Sequence, residues 1–343
     1  MELKNFDYHL PKELIAQKPL PRREQSRMMV VDRAEKEIKH AWFKDFPTYL
    51  QKNHLLVLNN TKVIPARTWG KKDESDIEFL FLRELEPKIW EVLCRPAKKV
   101  KKGSQIFFSS SLQARVIKKE SEGRRVLYFS TDQVMNELKK IGYAPLPPYI
   151  KRDRSEKNLK DFDLKRYQTV YAKNQGSIAA PTAGLHFTNE IFDEIKTREI
   201  PFTFITLNVG LATFQPVRAK NIENHKMLTE HFYISKSSAQ MIQKAKQESK
   251  PVVSIGTTTV RALESAAKEN RIQSGSHSTD LFIYPGYQFK IADRLLTNFH
   301  LPCSTLLMLT ASFAGYDLLM EAYEEAVKRK YRFFSYGDCM YIR

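Results

Sequence analysis

Residues 176–188 read Gly-Ser-Ile-Ala-Ala-Pro-Thr-Ala-Gly-Leu-His-Phe-Thr, without a single Lys, Arg, Asp or Glu in a chain that is 28% charged. Small residues such as Gly184 let the backbone approach a bound group, and Thr182, His186 and Thr188 supply the few polar contacts such a site needs. An imidazole titrates near neutrality, so His186 is the first candidate for acid–base work, with His300 second and Thr182 beside them. Thr188 also fits the N-cap of a helix over 190–197.

Three further segments share this character. Thr206-Leu-Asn-Val-Gly-Leu-Ala-Thr-Phe sits at a strand C-terminus, where open α/β sheets place ligands, with Gly210 at the turn. Ser254-Ile-Gly-Thr-Thr-Thr-Val-Arg reads as strand, turn and helix start. The free amides beside Thr257 and Thr258 suit a carboxylate or phosphate, and Arg261 adds a charge-assisted contact. It lacks the spacing of a P-loop. Thr297-Asn-Phe-His-Leu-Pro-Cys-Ser brings Asn298, His300 and Ser304 toward the same strand end. Asp280 and Asp338 are the candidate carboxylates of this set, and Tyr284, Tyr287 and Tyr336 its flat surfaces for a base. His225 and His231 lie too far apart, with no third ligand cluster, for a metal site to be expected. No nucleophile elbow is present.

The 343 residues carry 56 Lys and Arg against 39 Asp and Glu, a net charge of +17. That excess favours a polyanionic partner, because each neutralised phosphate releases counterions. Basic stretches at Arg22-Arg23 and Arg95-Pro-Ala-Lys-Lys-Val-Lys-Lys make Arg22, Arg23, Lys98, Lys99, Lys101 and Lys102 the candidates for tracking a nucleic-acid backbone. No apolar run is long enough for a membrane span, no apolar leader opens the chain, and the three cysteines are scattered. A cytoplasmic protein without a disulfide framework is expected.

The elements that must position these residues fall into two textures. Strands over 28–31 and 55–58, a helix over 43–50 and a short helix after Leu10 precede the turn at Asn59-Asn-Thr. From about 70 to 150, short strand-like runs (77–82, 89–94, 104–108, 112–117, 125–129) predict a small antiparallel barrel or sandwich. A lysine-heavy stretch to Lys165 reads as an exposed linker. Beyond it, strands at 202–208, 252–255, 282–284 and 295–297 alternate with helices at 190–197, 237–247, 260–268, 304–313 and 318–330, the pattern of a sheet flanked by helices. The expected fold is α/β: a large mixed α/β domain (1–68 and 153–343) with an inserted small antiparallel β-barrel domain (69–152).

The motif blocks carry a resemblance. Phe6-Asp-Tyr-x-Leu-Pro-x-Glu-Leu-Ile-Ala-Gln, Ser26-Arg, Asn59-Asn-Thr-Lys-Val-Ile-Pro-Ala-Arg, Tyr167-Gln-Thr-Val-Tyr-Ala, the 176–188 segment, Gly256-Thr-Thr-x-Val-Arg-Ala-Leu-Glu, Leu296-Thr-Asn-Phe-His-Leu-Pro-x-Ser-Thr-Leu and Tyr331-Arg-Phe-Phe-Ser-Tyr-Gly-Asp together resemble the S-adenosylmethionine:tRNA ribosyltransferase-isomerases of queuosine biosynthesis. The resemblance implies transfer and isomerisation of the ribosyl group of S-adenosylmethionine onto 7-aminomethyl-7-deazaguanine at the tRNA wobble position. Epoxyqueuosine-tRNA forms, and adenine and methionine leave. S-adenosylmethionine is then a consumed co-substrate, no metal or separate cofactor is implied, and a monomer is expected. Asn60, Thr61 and Arg67 join Gly184, Gly210, Thr257, Thr258, Arg261, Asp280, Asn298 and Ser304 as residues expected to hold S-adenosylmethionine or the base. The chain departs from the family pattern: Asn208 and Leu228 stand where family members commonly carry histidines, and Leu211-Ala212 where they commonly carry Ala-Gly.

Overall fold

A computed structural model describes residues 1–153, 156, 158–210, 217, 219–269 and 271–343. Before the barrel come β1 (Arg27–Asp32), β2 (Glu37–Trp42), β3 (Leu55–Asn59) and β4 (Thr61–Val63). The next segment holds β5 (Arg67–Lys72), β6 (Ser75–Glu86), β7 (Ile89–Arg95), β8 (Gln105–Phe107), β9 (Gln113–Lys119), β10 (Arg124–Phe129) and α1 (Val134–Ile141). Then follow α2 (Asn158–Arg166), β11 (Asn174–Ser177), α3 (Asn189–Thr197), β12 (Phe202–Leu207), β13 (Glu230–Ile234), α4 (Lys236–Gln247), β14 (Val252–Ile255) and α5 (Thr257–Ala266). The chain ends with β15 (Ala267–Lys268), β16 (Arg271–Ile272), β17 (Gly275–Thr279), β18 (Arg294–Asn298), α6 (Thr305–Ala314), α7 (Tyr316–Lys328) and β19 (Cys339–Ile342).

Nine strands form one mixed sheet in the order β17-β13-β12-β3-β14-β18-β19-β1-β2. The central strands β3 and β14 are buried along their whole length and apolar except at Asn59 and Ser254, as suits a strand covered on both faces. The outer strand β2 carries Glu37, Lys39 and His40, charge and polarity that suit an edge facing water. Helices α6 and α7 cover one face, where Phe299, Leu307, Met308 and Tyr323 are buried. Phe43, Phe46, Phe187 and Ile195 cover the other.

Strands β5–β10 close into an antiparallel barrel whose interior is filled by Phe79, Phe81, Phe129 and Ile106. The mixed α/β fold with a small antiparallel barrel is therefore as the sequence pattern predicts, and the barrel's strands run from Arg67 to Phe129.

Several local expectations are corrected. The stretch ending at Lys165 is not a linker: α2 occupies it, anchored by buried Asp163, whose carboxylate takes both Arg152 Nε and Nη2 at 2.7 and 3.0 Å. Residues 282–284 pair with no strand. Phe282 and Tyr284 instead pack side-on against the α6–α7 core. The helix after Leu10 shrinks to a single 3-10 turn over Lys12–Leu14. Strands β13 and β17, which carry no continuous apolar run, and the apolar β19 also join the sheet.

Candidate active site

Strands β12, β3, β14 and β18 are mutually parallel in sequence across the sheet, so their C-termini share one edge. That edge presents Asn208–Gly210, Asn59–Thr61, Gly256–Thr258 and Asn298–His300. Strand β19 runs antiparallel to β18 with Asn298 opposite Cys339, and β1 is parallel to β19, which brings Ser26, Tyr336 and Asp338 to the same edge. Segments more than 300 residues apart in the chain thus meet, as the topological rule for ligand sites in α/β sheets requires.

Asn59 ties this edge together. Its side-chain Nδ2 donates to Leu207 O at 3.0 Å, while its Oδ1 accepts from Leu207 N and Thr61 N at 3.0 and 3.1 Å. Thr61 Oγ1 donates to Asn208 Oδ1 at 2.8 Å, and Asn60 Oδ1 accepts from Thr206 Oγ1 at 2.7 Å. Gly256 takes φ +90°, a conformation that L side chains rarely adopt, to turn β14 into α5. Its Cα lies close enough to the 182–186 turn that an added Cβ would meet Ala183 Cβ at 3.6 Å.

His186 is buried and fully partnered. Asn298 Nδ2 lies 3.1 Å from His186 Nε2, and 3.3 Å from both Phe334 O and Asp338 O. Two carbonyls can only accept, so the amide nitrogen faces them and donates to Nε2. The ring proton therefore sits on Nδ1 and is donated to Ser26 Oγ at 2.7 Å. His300 repeats the pattern. Thr310 Oγ1 spends its proton on Leu306 O at 2.8 Å, so it accepts from His300 Nδ1 at 3.2 Å, and Thr297 Oγ1 donates to Nε2 at 3.2 Å. Burial holds each ring down at about 3, helped for His186 by the positive charge of Arg23 and Arg332. Both imidazoles are neutral at physiological pH.

Beside His186 lies a cavity of about 20 Å³, bounded by Pro19, Arg23, Ser26, Arg166, Leu185 and Tyr336. Two buried polar atoms of its lining residues lack a partner among the described residues: Arg166 Nε and Tyr336 Oη. Such atoms are rare in protein interiors and mark places where a water or ligand belongs.

The larger space is a cleft of about 860 Å³ between the barrel and the sheet edge. Arg67, Glu78, Arg83, Glu91 and Arg124 line it from the barrel side, and Gly176, Ile178, Asn208, Gly210, Leu228 and Glu230 from the sheet side. A layer of Leu146, Tyr167, Ala180, Leu185 and Tyr336 packs as one apolar cluster, with members on the borders of both cavities. At the cleft floor Glu230 Oε1 accepts from Gly210 N at 3.0 Å, and its Oε2 pairs with Arg261 Nη1; both side chains are buried. Arg67 Nη2 donates to Leu146 O at 2.8 Å and its Nε faces Glu78 at 3.4 Å.

The remaining expected residues are distributed as follows. Thr182 is half-buried in the turn before His186, and Thr257 and Thr258 are buried at the start of α5. Ser304 is the N-cap of α6, accepting from Leu307 N at 3.2 Å, and is committed to that role. Gly184 packs against Tyr171, where any Cβ would collide with the phenol. Asp280 is exposed and borders neither cavity, because the 280–284 segment turns away across α5. Asp338 is buried, accepts from the backbone of Arg27 and Arg332, and is pushed up by desolvation. Arg22 is exposed and paired with Glu24, whereas Arg23 points inward and donates to Leu185 O at 2.9 Å. Lys98, Lys99, Lys101 and Lys102 are exposed on the barrel.

Sequence reasoning missed Asn59, Glu230, Arg166, Tyr171 and Arg332 as members of the site. The Tyr167–Ala172 and Tyr331–Asp338 blocks held the signal for Tyr171 and Arg332. For Glu230 the signal was the His225-Lys-Met-Leu-Thr-Glu run, weighed only as a metal site and as a departure from the family pattern; the fold carries β13 beside β12. Residues 211–216, which complete the Gly210 segment, lie outside the described residues. Among the described residues no group of three or more His, Cys, Asp or Glu side chains could hold a metal, and no helix is long and apolar enough to cross a membrane.

Residues 3–342 match the family described as Queuosine biosynthesis protein. Over their full lengths, the chain is 49% identical to the S-adenosylmethionine:tRNA ribosyltransferase-isomerases of Halothermothrix orenii and Sulfurihydrogenibium sp., and 46% identical to that of Clostridium kluyveri. A crystal structure of an S-adenosylmethionine tRNA ribosyltransferase from Thermotoga maritima is 38% identical, covers 99% of this chain and all of that one, and superposes with a TM-score of 0.56.

Proposed function

The chain belongs to the queuosine biosynthesis protein family, and from that premise we propose that it is an S-adenosylmethionine:tRNA ribosyltransferase-isomerase. It transfers the ribosyl group of S-adenosylmethionine to 7-aminomethyl-7-deazaguanine at the wobble position of tRNA and isomerises it to the epoxide, with adenine and methionine released. The full-length match carries this reading. The geometry supports it: the family's motif blocks fold to one sheet edge, beside a cleft walled on its far side by a barrel with exposed lysines.

In the reaction the sulfonium acidifies the neighbouring 5′ carbon, a base removes a proton there, adenine departs with a proton as the ribose opens, the tRNA-borne amine attacks, and methionine is expelled as the epoxide closes. The cleft is roomy enough for S-adenosylmethionine beside an extruded base, since small-molecule sites span roughly 300–1,000 Å³. His186, His300 and Thr182 are the acid–base candidates. Each imidazole, as it stands, takes up a proton at Nε2 only by releasing the donor that occupies it, Asn298 or Thr297. S-adenosylmethionine is consumed, no further cofactor takes part, and the protein works as a cytoplasmic monomer. Arg22, Lys98, Lys99, Lys101 and Lys102 track the tRNA backbone.

The test is direct. Incubation with S-adenosylmethionine and tRNA bearing the aminomethyl-deazaguanine is expected to release free adenine and methionine and to yield a heavier nucleoside. Formation of S-adenosylhomocysteine instead would show methyl transfer and end this reading.

A further inference from the structure

We propose that the small cavity between residues 19–26 and 335–337 is a subsite for one anionic oxygen of the substrates, held by Arg23, Arg166 and Tyr336. The proposal rests on the reading of the chain as an enzyme acting on S-adenosylmethionine and tRNA, which between them offer two sources of such an oxygen: a backbone phosphate and the methionine carboxylate.

Size sets the guest. A cavity of about 20 Å³ admits one oxygen-sized group and no nucleobase. Charge sets its sign. Arg23 donates to Leu185 O and Arg166 O at 2.9 and 3.3 Å, Arg166 donates to Pro21 O at 2.9 Å, and Arg332 donates to Lys18 O. Each of these acceptors is a neutral carbonyl. Among the described residues no carboxylate lies within ion-pair distance of Arg23 or Arg166, whereas the charge of Asp338 offsets Arg332. Asp338 pairs with Arg27 at 3.3 Å and Asp163 with Arg152 at 2.7 Å. Part-buried guanidinium groups without a counter-charge are unusual, since desolvated cations are normally paired. The mutual repulsion is felt: burial and the neighbouring Arg166 hold Arg23 down at about 10.

Hydrogen-bond chemistry agrees. Arg166 Nε and Tyr336 Oη border the cavity and are buried without a partner among the described residues. A water would satisfy them and leave the charge standing; an anionic oxygen answers both. Occupation would also reach the acid–base candidate. Arg23 holds Leu185 O, the carbonyl next to His186, and Ser26 Oγ, which takes the His186 Nδ1 proton, donates to Arg23 O at 3.3 Å.

The experiment compares wild type with Arg166→Gln and with Tyr336→Phe, which removes a single hydroxyl and spares the packing of the ring. For each, the salt dependence of tRNA binding is measured, together with the affinities for S-adenosylmethionine and its decarboxylated analogue. If the guest is a phosphate, Arg166→Gln weakens tRNA binding about tenfold and lowers the slope of log K against log salt by about one, with S-adenosylmethionine affinity unchanged. If it is the carboxylate, both variants lose about tenfold in affinity for S-adenosylmethionine but not for the decarboxylated analogue, and the salt slope stays put. Unaltered values in both arms for both variants would overturn the subsite. Absence of adenine release by wild type would instead overturn the functional reading, and the binding measurements would still decide the subsite.

Discussion

Asn298 Nδ2 donates to His186 Nε2 across 3.1 Å, and two backbone carbonyls, Phe334 O and Asp338 O, fix the direction of that donation. The amide therefore selects the tautomer of a histidine 112 residues away. Replacing it by Asn298→Asp puts a carboxylate where the donor was, which favours an imidazolium. The His186 titration, held at about 3 in the native chain, is expected to move up by several units in an NMR titration of the ring. His186→Ala should lower turnover about 100-fold; full turnover in that variant would remove the ring from the chemistry.

Stability should depend on pH through the buried imidazoles. His186 and His300 are held at about 3 and His54 at about 4, in each case chiefly by burial, against about 6.5 in an unfolded chain. Below pH 6.5 the unfolded chain binds protons that the folded one refuses. Their contribution is therefore complete above 6.5 and is lost as pH falls toward 4 and then 3. Urea unfolding at pH 7 and pH 5 is expected to differ by roughly 1–2 kcal/mol for each such ring. His300→Gln should show a shallower pH dependence than wild type, and an equal one would contradict the assignment.

The buried pair Glu230–Arg261 joins β13 to α5 at the cleft floor. Arg261→Met strands a desolvated carboxylate and is expected to cost about 3–5 kcal/mol in chemical denaturation. Combining it with Glu230→Gln removes the stranded charge while keeping an acceptor for Gly210 N. The double variant should therefore recover most of the loss, a non-additivity readable in a double-mutant cycle.

Gly184 answers a packing demand. A Cβ there would sit 2.0 Å from Tyr171 Oη and 2.9 Å from Thr169 Cγ2. Gly184→Ala should destabilise the fold by about 1–3 kcal/mol, and Tyr171→Phe in the same chain should return part of it. Equal melting temperatures for Gly184→Ala and wild type would show that the turn shifts freely.

Much of the fold was readable in the residues. The apolar run Leu55–Leu58 and the mostly apolar Val252–Ile255, broken only by Ser254, marked central strands, because a strand buried on both faces has few polar positions to confuse the pattern. The helix start at Thr188 was legible from its capping hydroxyl, whereas Ser304, read as a ligand contact, is spent on capping α6. Strand β2 was not, since Glu37-Ile-Lys-His-Ala-Trp gains its conformation from the ladder to β1 and little from its own composition. Helix α2 has no apolar stripe, so its residues read as a solvated loop.

For the site the division is sharper. The order of residues along the chain settled which small, uncharged and hydroxyl-bearing segments exist and which family they mark, because those are local properties of composition and spacing. Which of them touch was decided by the crossing of parallel strands, a long-range property that no window of sequence contains. That crossing placed Asn298 against His186, hid Arg23 while leaving Arg22 in water, sent Asp280 outward, and set Glu230 at the cleft floor. The physical reason is burial: contacts between distant segments exclude water, and only water's exclusion gives these polar groups their depressed basicity, their tautomers and their unmet hydrogen bonds.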